Sequence, residues 1–140
     1  MPRYHSTGRC RSFLAGSAIA ILLAIFAVPN AAFAADKAKL VTVVTTESKF
    51  TPNKLSFRRG IPYRLHVENH GKEMHEFTAP EFFKSVALHN PEVLNADKVE
   101  AEIPPGQAKD IFLVPQRAGH YDLRCSDHDW AGMTGAIVVK

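Results

Sequence analysis

Apolar residues recur at every second position through most of the chain beyond residue 39. Leu40-Val41-Thr42-Val43-Val44 is rich in β-branched residues, and Phe50 to Phe57 contains a turn at Pro52-Asn53 followed by a short alternating segment. After a second turn at Arg59-Gly60, Ile61, Tyr63, Leu65 and Val67 alternate with Pro62, Arg64, His66 and Glu68. That period of two predicts a strand with one face turned inward. Asn69 to Lys72 reads as a turn or loop, and His75 to Thr78 as a short strand beyond it. Val99, Ala101 and Ile103 alternate up to the turn Pro104-Pro105-Gly106. Ala108 to Val114 is the next strand, stopped by Pro115 and by Arg117-Ala118-Gly119. Tyr121, Leu123 and Cys125 share one parity and so one face of the strand that follows. Gly135 to Val139 closes the pattern. Short strands with turns at this spacing predict an all-β sandwich or barrel.

Residues 79–98 break the alternation. Phe82, Phe83, Val86 and Ala87 fall at helical spacing, Pro80 and Glu81 suit a first helical turn, and Pro91 ends the segment. This predicts a short helical or irregular excursion whose apolar stripe packs on the core or covers the sandwich.

The N-terminus follows a different rule. Arg3, Arg9 and Arg11 make a positive region, Phe13 to Val28 is apolar, and Ala32-Phe33-Ala34 is a small-x-small cleavage sequence. The pattern predicts a cleaved signal peptide over residues 1–34 and a single domain over 35–140. The apolar run falls short of the roughly 20 residues that span a bilayer, and Pro29 and Asn30 interrupt it. A retained membrane anchor is thereby disfavoured, and export to the periplasm is the expected destination.

Cleavage changes the charge. The full chain has 17 Lys and Arg against 14 Asp and Glu, and losing Arg3, Arg9 and Arg11 leaves 14 against 14. The basic pI of about 9.0 thus belongs to the precursor. No Lys/Arg cluster with interleaved aromatics follows, which argues against a nucleic-acid partner. Cleavage also removes Cys10, leaving Cys125 as the one thiol of the exported chain. A lone thiol where disulfides form is free, intermolecular or occupied, and metal ligation explains it best.

Cys125 opens the segment Cys-Ser-Asp-His-Asp-Trp-Ala-Gly-Met, which places a thiol, an imidazole (His128) and a thioether (Met133) within nine residues. These are soft or borderline ligands of the kind that select copper over magnesium or calcium. The segment lies between two strands, and a loop can turn several nearby side chains toward one point as a strand cannot. His75, fifty residues upstream of Cys125, can close the set from a neighbouring strand. Two imidazoles, one thiolate and a weak axial thioether define a type 1 copper site. Met74 competes for the axial role, but in an extended segment it points away from His75, so Met133 is preferred. A zinc site on His75, Cys125 and His128 is formally possible, although a thioether suits copper better.

With these residues in view, the stretch from Tyr121 to Met133 is similar to the ligand loop of the cupredoxins. Its Cys-x2-His-x4-Met spacing resembles that of plastocyanin and pseudoazurin. The Gly119-x-Tyr121 lead-in, the Pro104-Pro105-Gly106 turn and the apolar last strand add to the likeness, which extends over the whole of 35–140. The resemblance implies a Greek-key β-sandwich that holds one type 1 copper ion and shuttles single electrons. By position it makes His75 the first imidazole ligand, Cys125 the thiolate, His128 the second imidazole and Met133 the axial thioether. One position departs from the pattern. The residue after the first histidine is commonly Asn in that family, where it ties the two ligand-bearing loops together, and here it is Glu76. The surroundings of the ligands tune the metal, so this change bears on the potential and colour of the site.

His66, on the polar parity of its strand, and His70, His89 and His120, in turns or out of phase with Cys125, read as surface imidazoles that could at most hold a second, weaker metal. Trp130, two residues from His128, suggests a contact surface near the copper. No nucleophile elbow, phosphate-binding loop or paired-carboxylate motif points to an enzyme. Two functions follow. One is a monomeric periplasmic electron carrier serving a partner such as a periplasmic cytochrome or a copper oxidoreductase, with no membrane association after cleavage. The alternative is a copper-handling protein that sequesters or delivers the metal, or confers copper tolerance, through the same site.

Overall fold

The computed structural model describes residues 34–140, so the predicted leader lies outside the described residues except for Ala34. In chain order the strands are β1 (Lys39–Thr46), β2 (Lys49–Thr51), β3 (Lys54–Phe57), β4 (Tyr63–Asn69) and β5 (His75–Thr78). A one-turn helix α1 (Pro80–Phe83) leads to β6 (Val86–Leu88), β7 (Glu100–Ile103), β8 (Ala108–Pro115), β9 (Gly119–Arg124) and β10 (Thr134–Val139). They form two five-stranded sheets, ordered β2-β1-β4-β8-β6 and β3-β10-β9-β5-β7. Each sheet contains one parallel pair, β1 with β4 and β3 with β10, because the chain passes from one sheet to the other at most of its connections. The expected all-β sandwich is the observed architecture.

The inward faces follow the alternation in the sequence. Tyr63, Leu65 and Val67 of β4 are buried while Arg64, His66 and Glu68 are partly exposed. They meet Phe57, Phe77, Ile111, Leu113, Leu123 and Ile137 in one core. The parity ends on a polar residue, Asn69, which is fully buried. On the outer face Arg64 donates two 2.8 Å hydrogen bonds to Asp110, and His66 lies 2.7 Å from the same carboxylate. His66 is therefore a partnered residue of a surface network rather than a freely solvated one.

Within the helical or irregular excursion expected over 79–98, the helical part is one turn long. The helix stops at Phe83, and Val86 to Leu88 form a strand against the free edge of β8. Lys84 and Ser85 close the helix by donating backbone N–H groups to Pro80 and Phe82, and the Ser85 hydroxyl also bonds the Phe82 carbonyl. An unpaired edge offers a ladder of hydrogen bonds that one more helical turn would forgo. After the irregular residues 89–90, Pro91 begins a 3-10 turn, Pro91–Val93. The expected first turn at Pro80 and Glu81 is present, and the expected core packing holds as well. Phe82 stacks on Phe57 at 5.4 Å between ring centroids and meets Tyr121 edge-on at 5.8 Å.

Phe82 is thus a fully buried member of the core, and Phe82→Ala is expected to cost about 3–5 kcal/mol. Urea unfolding of the two proteins measures this; a change below 1 kcal/mol on the order expected for surface sites would show that the helix is peripheral.

Candidate metal centre

The site forms where two neighbouring strands stop pairing. β5 and β9 share only the pair Thr78–Arg124. Continuing the ladder would place Cys125 beside Phe77, but the chain peels away there into the loop 125–133. The backbone N–H of Glu76 then meets the Cys125 sulfur, at 3.5 Å, in place of a carbonyl oxygen. Sulfur accepts hydrogen bonds weakly, but a buried N–H without any acceptor costs more. Cys125 is fully buried and free of disulfides.

The loop closes on itself. The Cys125 N–H donates to the Met133 carbonyl at 3.0 Å, and the Met133 N–H donates to the His128 carbonyl at 3.2 Å. Between them Asp129–Ala131 make one 3-10 turn, ended by Gly132 at φ 86°, a left-handed conformation that favours glycine. Met133 is carried into the core with its side chain fully buried. Just below, the Glu100 carboxylate accepts hydroxyl hydrogen bonds from Thr78 (2.9 Å) and Ser126 (2.6 Å), tying β5 and β7 to the start of the loop.

The loop 70–74 is set by Asn69. Its amide nitrogen donates to the carbonyls of Glu73 and Ile103, both at 2.7 Å, and its oxygen accepts the Gly71 N–H at 2.8 Å. Asn69 and the Thr78–Ser126–Glu100 cluster were not singled out from sequence. Asn69 carried a signal all the same, as a polar residue continuing the inward parity of Ile61, Tyr63, Leu65 and Val67. Gly71 lies over His75 so closely that a Cβ there would come within 2.8 Å of the His75 Nε2.

Three predicted donors converge. His75 Nδ1 lies 3.8 Å from the Cys125 sulfur and His128 Nδ1 lies 3.3 Å from it. The ligand atoms of all three residues fall within 4.8 Å of one another. A metal about 2.3 Å from sulfur and about 2.0 Å from nitrogen in a trigonal plane would separate those donors by about 3.7 Å. The observed distances bracket that value. Among the described residues His75 Nε2 is buried with no hydrogen-bond partner, so hydrogen bonding alone does not account for an imidazole here. The donor set therefore fits a metal. Met74, the competing thioether, is 39% exposed, whereas Met133 is fully buried. His70, His89 and His120 are exposed.

Burial shifts two of the metal-free donors, His75 and Cys125. It lowers the pKa of His75, with the neighbouring His128 as the next cause, and so favours the neutral imidazole that a ligand requires. Burial, and then the hydrogen bond to Glu76, push the Cys125 thiol up to about 11. That hydrogen bond is 2.9 Å from sulfur to Oε2 of a carboxylate that is itself buried. The same oxygen accepts the Asp127 N–H at 3.3 Å. Glu76 thus joins β5 to the ligand loop, the task performed by Asn in the resembling family, but it brings a carboxylate where Asn brings an amide.

A β-sandwich with two histidines, a cysteine and a methionine gathered at one end is the architecture of a small copper protein. Residues 18–139 match the cupredoxin-like domain, and the chain belongs to that family. His75, Cys125, His128 and Met133 are arranged in it as a type 1 copper site. Among solved structures the chain is similar to auracyanin B, with 18% identity and a TM-score of 0.56 over 74% of this chain and 90% of that one. It is similar to the metal-binding domain of the Cu(I)-exporting P-type ATPase CopA of Streptococcus pneumoniae, solved with Cu(I), at 13% identity and a TM-score of 0.50 over 75% and 88%. A multicopper oxidase from Campylobacter jejuni matches at 14% identity and a TM-score of 0.57 over 74% of this chain and 30% of that one. At these identities the likeness is one of fold. No curated relative matches the chain.

Two outcomes are expected of the metal-free protein. The raised thiol pKa keeps Cys125 protonated when the unfolded chain, with a thiol pKa of about 8.5, has already ionised. Its contribution to stability is present below about pH 8.5 and is lost as pH rises through about 11. The fall in unfolding free energy over that window should be smaller in Cys125→Ser, measured by urea titration at each pH; equal slopes would refute the shift. Gly71→Ala should displace the His75 ring and weaken metal binding at least tenfold in a competition titration.

Proposed function

We propose that the protein is an exported electron carrier built on one type 1 copper ion. His75, Cys125, His128 and Met133 would hold the copper, which would supply the change of one electron. The observation that carries this reading is the convergence of the Cys125 sulfur with two imidazole Nδ1 atoms in a buried pocket. Copper held there would exchange one electron with a partner while its ligands stay in place. The chain's part is to prevent rearrangement. Cys125 and Met133 are locked by the closed loop, His75 by β5 and by Gly71 above its ring. The lone thiol and the leader-like N-terminus support a periplasmic location, where a thiol occupied by metal escapes oxidation.

Trp130 supports a docking role for the same end of the molecule. It is 83% exposed, yet its indole N–H is held by the Asp127 carbonyl at 2.9 Å. A large aromatic fixed in solvent two residues from a metal ligand suits contact with a redox partner such as a periplasmic cytochrome or a copper oxidoreductase. No enzymatic step is proposed.

One observation favours the second reading, copper handling. Met74 exposes a thioether directly before His75, a soft donor at the surface through which copper could be passed. Retention decides between the two. A carrier cycles between oxidation states without losing copper, whereas a handling protein releases it to a chelating partner.

The copper-loaded protein should show an intense visible band that reductant bleaches and Cys125→Ser removes, since serine cannot supply the thiolate charge transfer; a band surviving that change would overturn the site. Met133→Leu should keep the copper and raise the reduction potential in voltammetry, because an axial thioether tunes more than it holds.

A further inference from the structure

His128 is held at both ends. Its Nδ1 faces the Cys125 sulfur at 3.3 Å, and its Nε2 lies 3.0 Å from Oε2 of Glu73. The Glu73 side chain is 71% exposed and that of His128 only 15%, so the carboxylate sits on the outer edge of the ring. A neutral imidazole carries one N–H, and an ionised carboxylate can only accept. For His128 to direct a lone pair from Nδ1 toward the shared centre, its proton must be on Nε2, where Glu73 stands. The loop bearing Glu73 is itself fixed, since the buried Asn69 amide donates to the Glu73 carbonyl at 2.7 Å. His75 has no such arrangement among the described residues, where its Nε2 is buried without a hydrogen-bond partner.

We infer that Glu73 is a positioning residue for His128, selecting the tautomer and ring orientation that turn Nδ1 inward and adding a negative charge to the far side of the ring. This rests on the copper reading of the site. A carboxylate on the outer nitrogen makes an imidazole a more basic ligand. It therefore stabilises the more highly charged Cu(II) over Cu(I) and holds the reduction potential down. The pair is partly solvent-screened, which keeps the effect modest. Gln at position 73 would retain an accepting oxygen and lose the charge, whereas Ala would lose both, so the two changes separate orientation from charge.

Two measurements test this. In the metal-free protein at about pH 8, above the ordinary histidine range, the imidazole nitrogens of His128 are read by long-range proton–nitrogen correlation. The native protein and Glu73→Gln are expected to show the Nε2–H form with a slowly exchanging proton, and Glu73→Ala a faster-exchanging proton or a mixture of tautomers. In the copper-loaded protein, Glu73→Gln and Glu73→Ala should both raise the Cu(I)-to-Cu(II) affinity ratio about threefold to tenfold. That corresponds to an upward shift of roughly 30–60 mV, at 59 mV per decade for one electron. An Nδ1–H ring in the native protein, or a ring unchanged in tautomer and exchange by Glu73→Ala, would overturn the positioning role. An unchanged potential in Glu73→Gln would overturn the charge effect. Failure to bind copper would instead remove the copper reading, with the metal-free measurement still deciding whether Glu73 orients the ring.

Discussion

Everything at the metal end of the sandwich depends on where the ladder between β5 and β9 ends. One residue pair joins the two strands, and beyond it the Cys125 sulfur stands in for a backbone acceptor. Had pairing continued, Cys125 would be one more inward side chain and His128 would lie farther along a strand, its direction fixed by alternation. Because pairing stops, the loop curls back and closes on its own carbonyls. A thiol, an imidazole and a thioether then come from one short segment, and β5 contributes the second imidazole from the side.

The burial of His75 and Cys125 has an electrostatic consequence for the centre. Low polarity disfavours charge, so it raises the Cys125 thiol and lowers His75, favouring the neutral form of these two donors. Binding a cation must then expel the thiol proton, which makes affinity depend on pH. The carboxylates bear on this differently. Glu76 is buried against the sulfur and bridges the two ligand-bearing segments, whereas Glu73 reaches the outer edge of His128 from solvent.

The fold alone says little about which copper chemistry is performed. The same sandwich is found in auracyanin B, in a metal-binding domain of a Cu(I) exporter and in part of a multicopper oxidase. What individualises this chain is the set of side chains around the four donors: Glu76 where Asn is common in the family, Glu73 on His128, the fixed and exposed Trp130, and the exposed Met74. Function lives in such sites rather than in the architecture that carries them.

Sequence by itself determined the strands with strict alternation, above all Tyr63 to Val67 and Tyr121 to Leu123, because a period of two can bury one face only one way. It also determined the identity of the donors, since a thiol at a strand end in Cys-x2-His-x4-Met spacing brings together the soft ligand types that select copper. Tertiary structure alone decided the rest. The short segment Val86–Leu88 became a strand because β8 offered an unpaired edge, a partner that no local pattern announces. Asn69, Glu73, Glu76 and the Thr78–Ser126–Glu100 cluster act across separations of up to 55 residues. Their roles are hydrogen bonds between segments that meet only when the two sheets close, and an acidic or amide side chain shows nothing of its partner until the chain has folded around it.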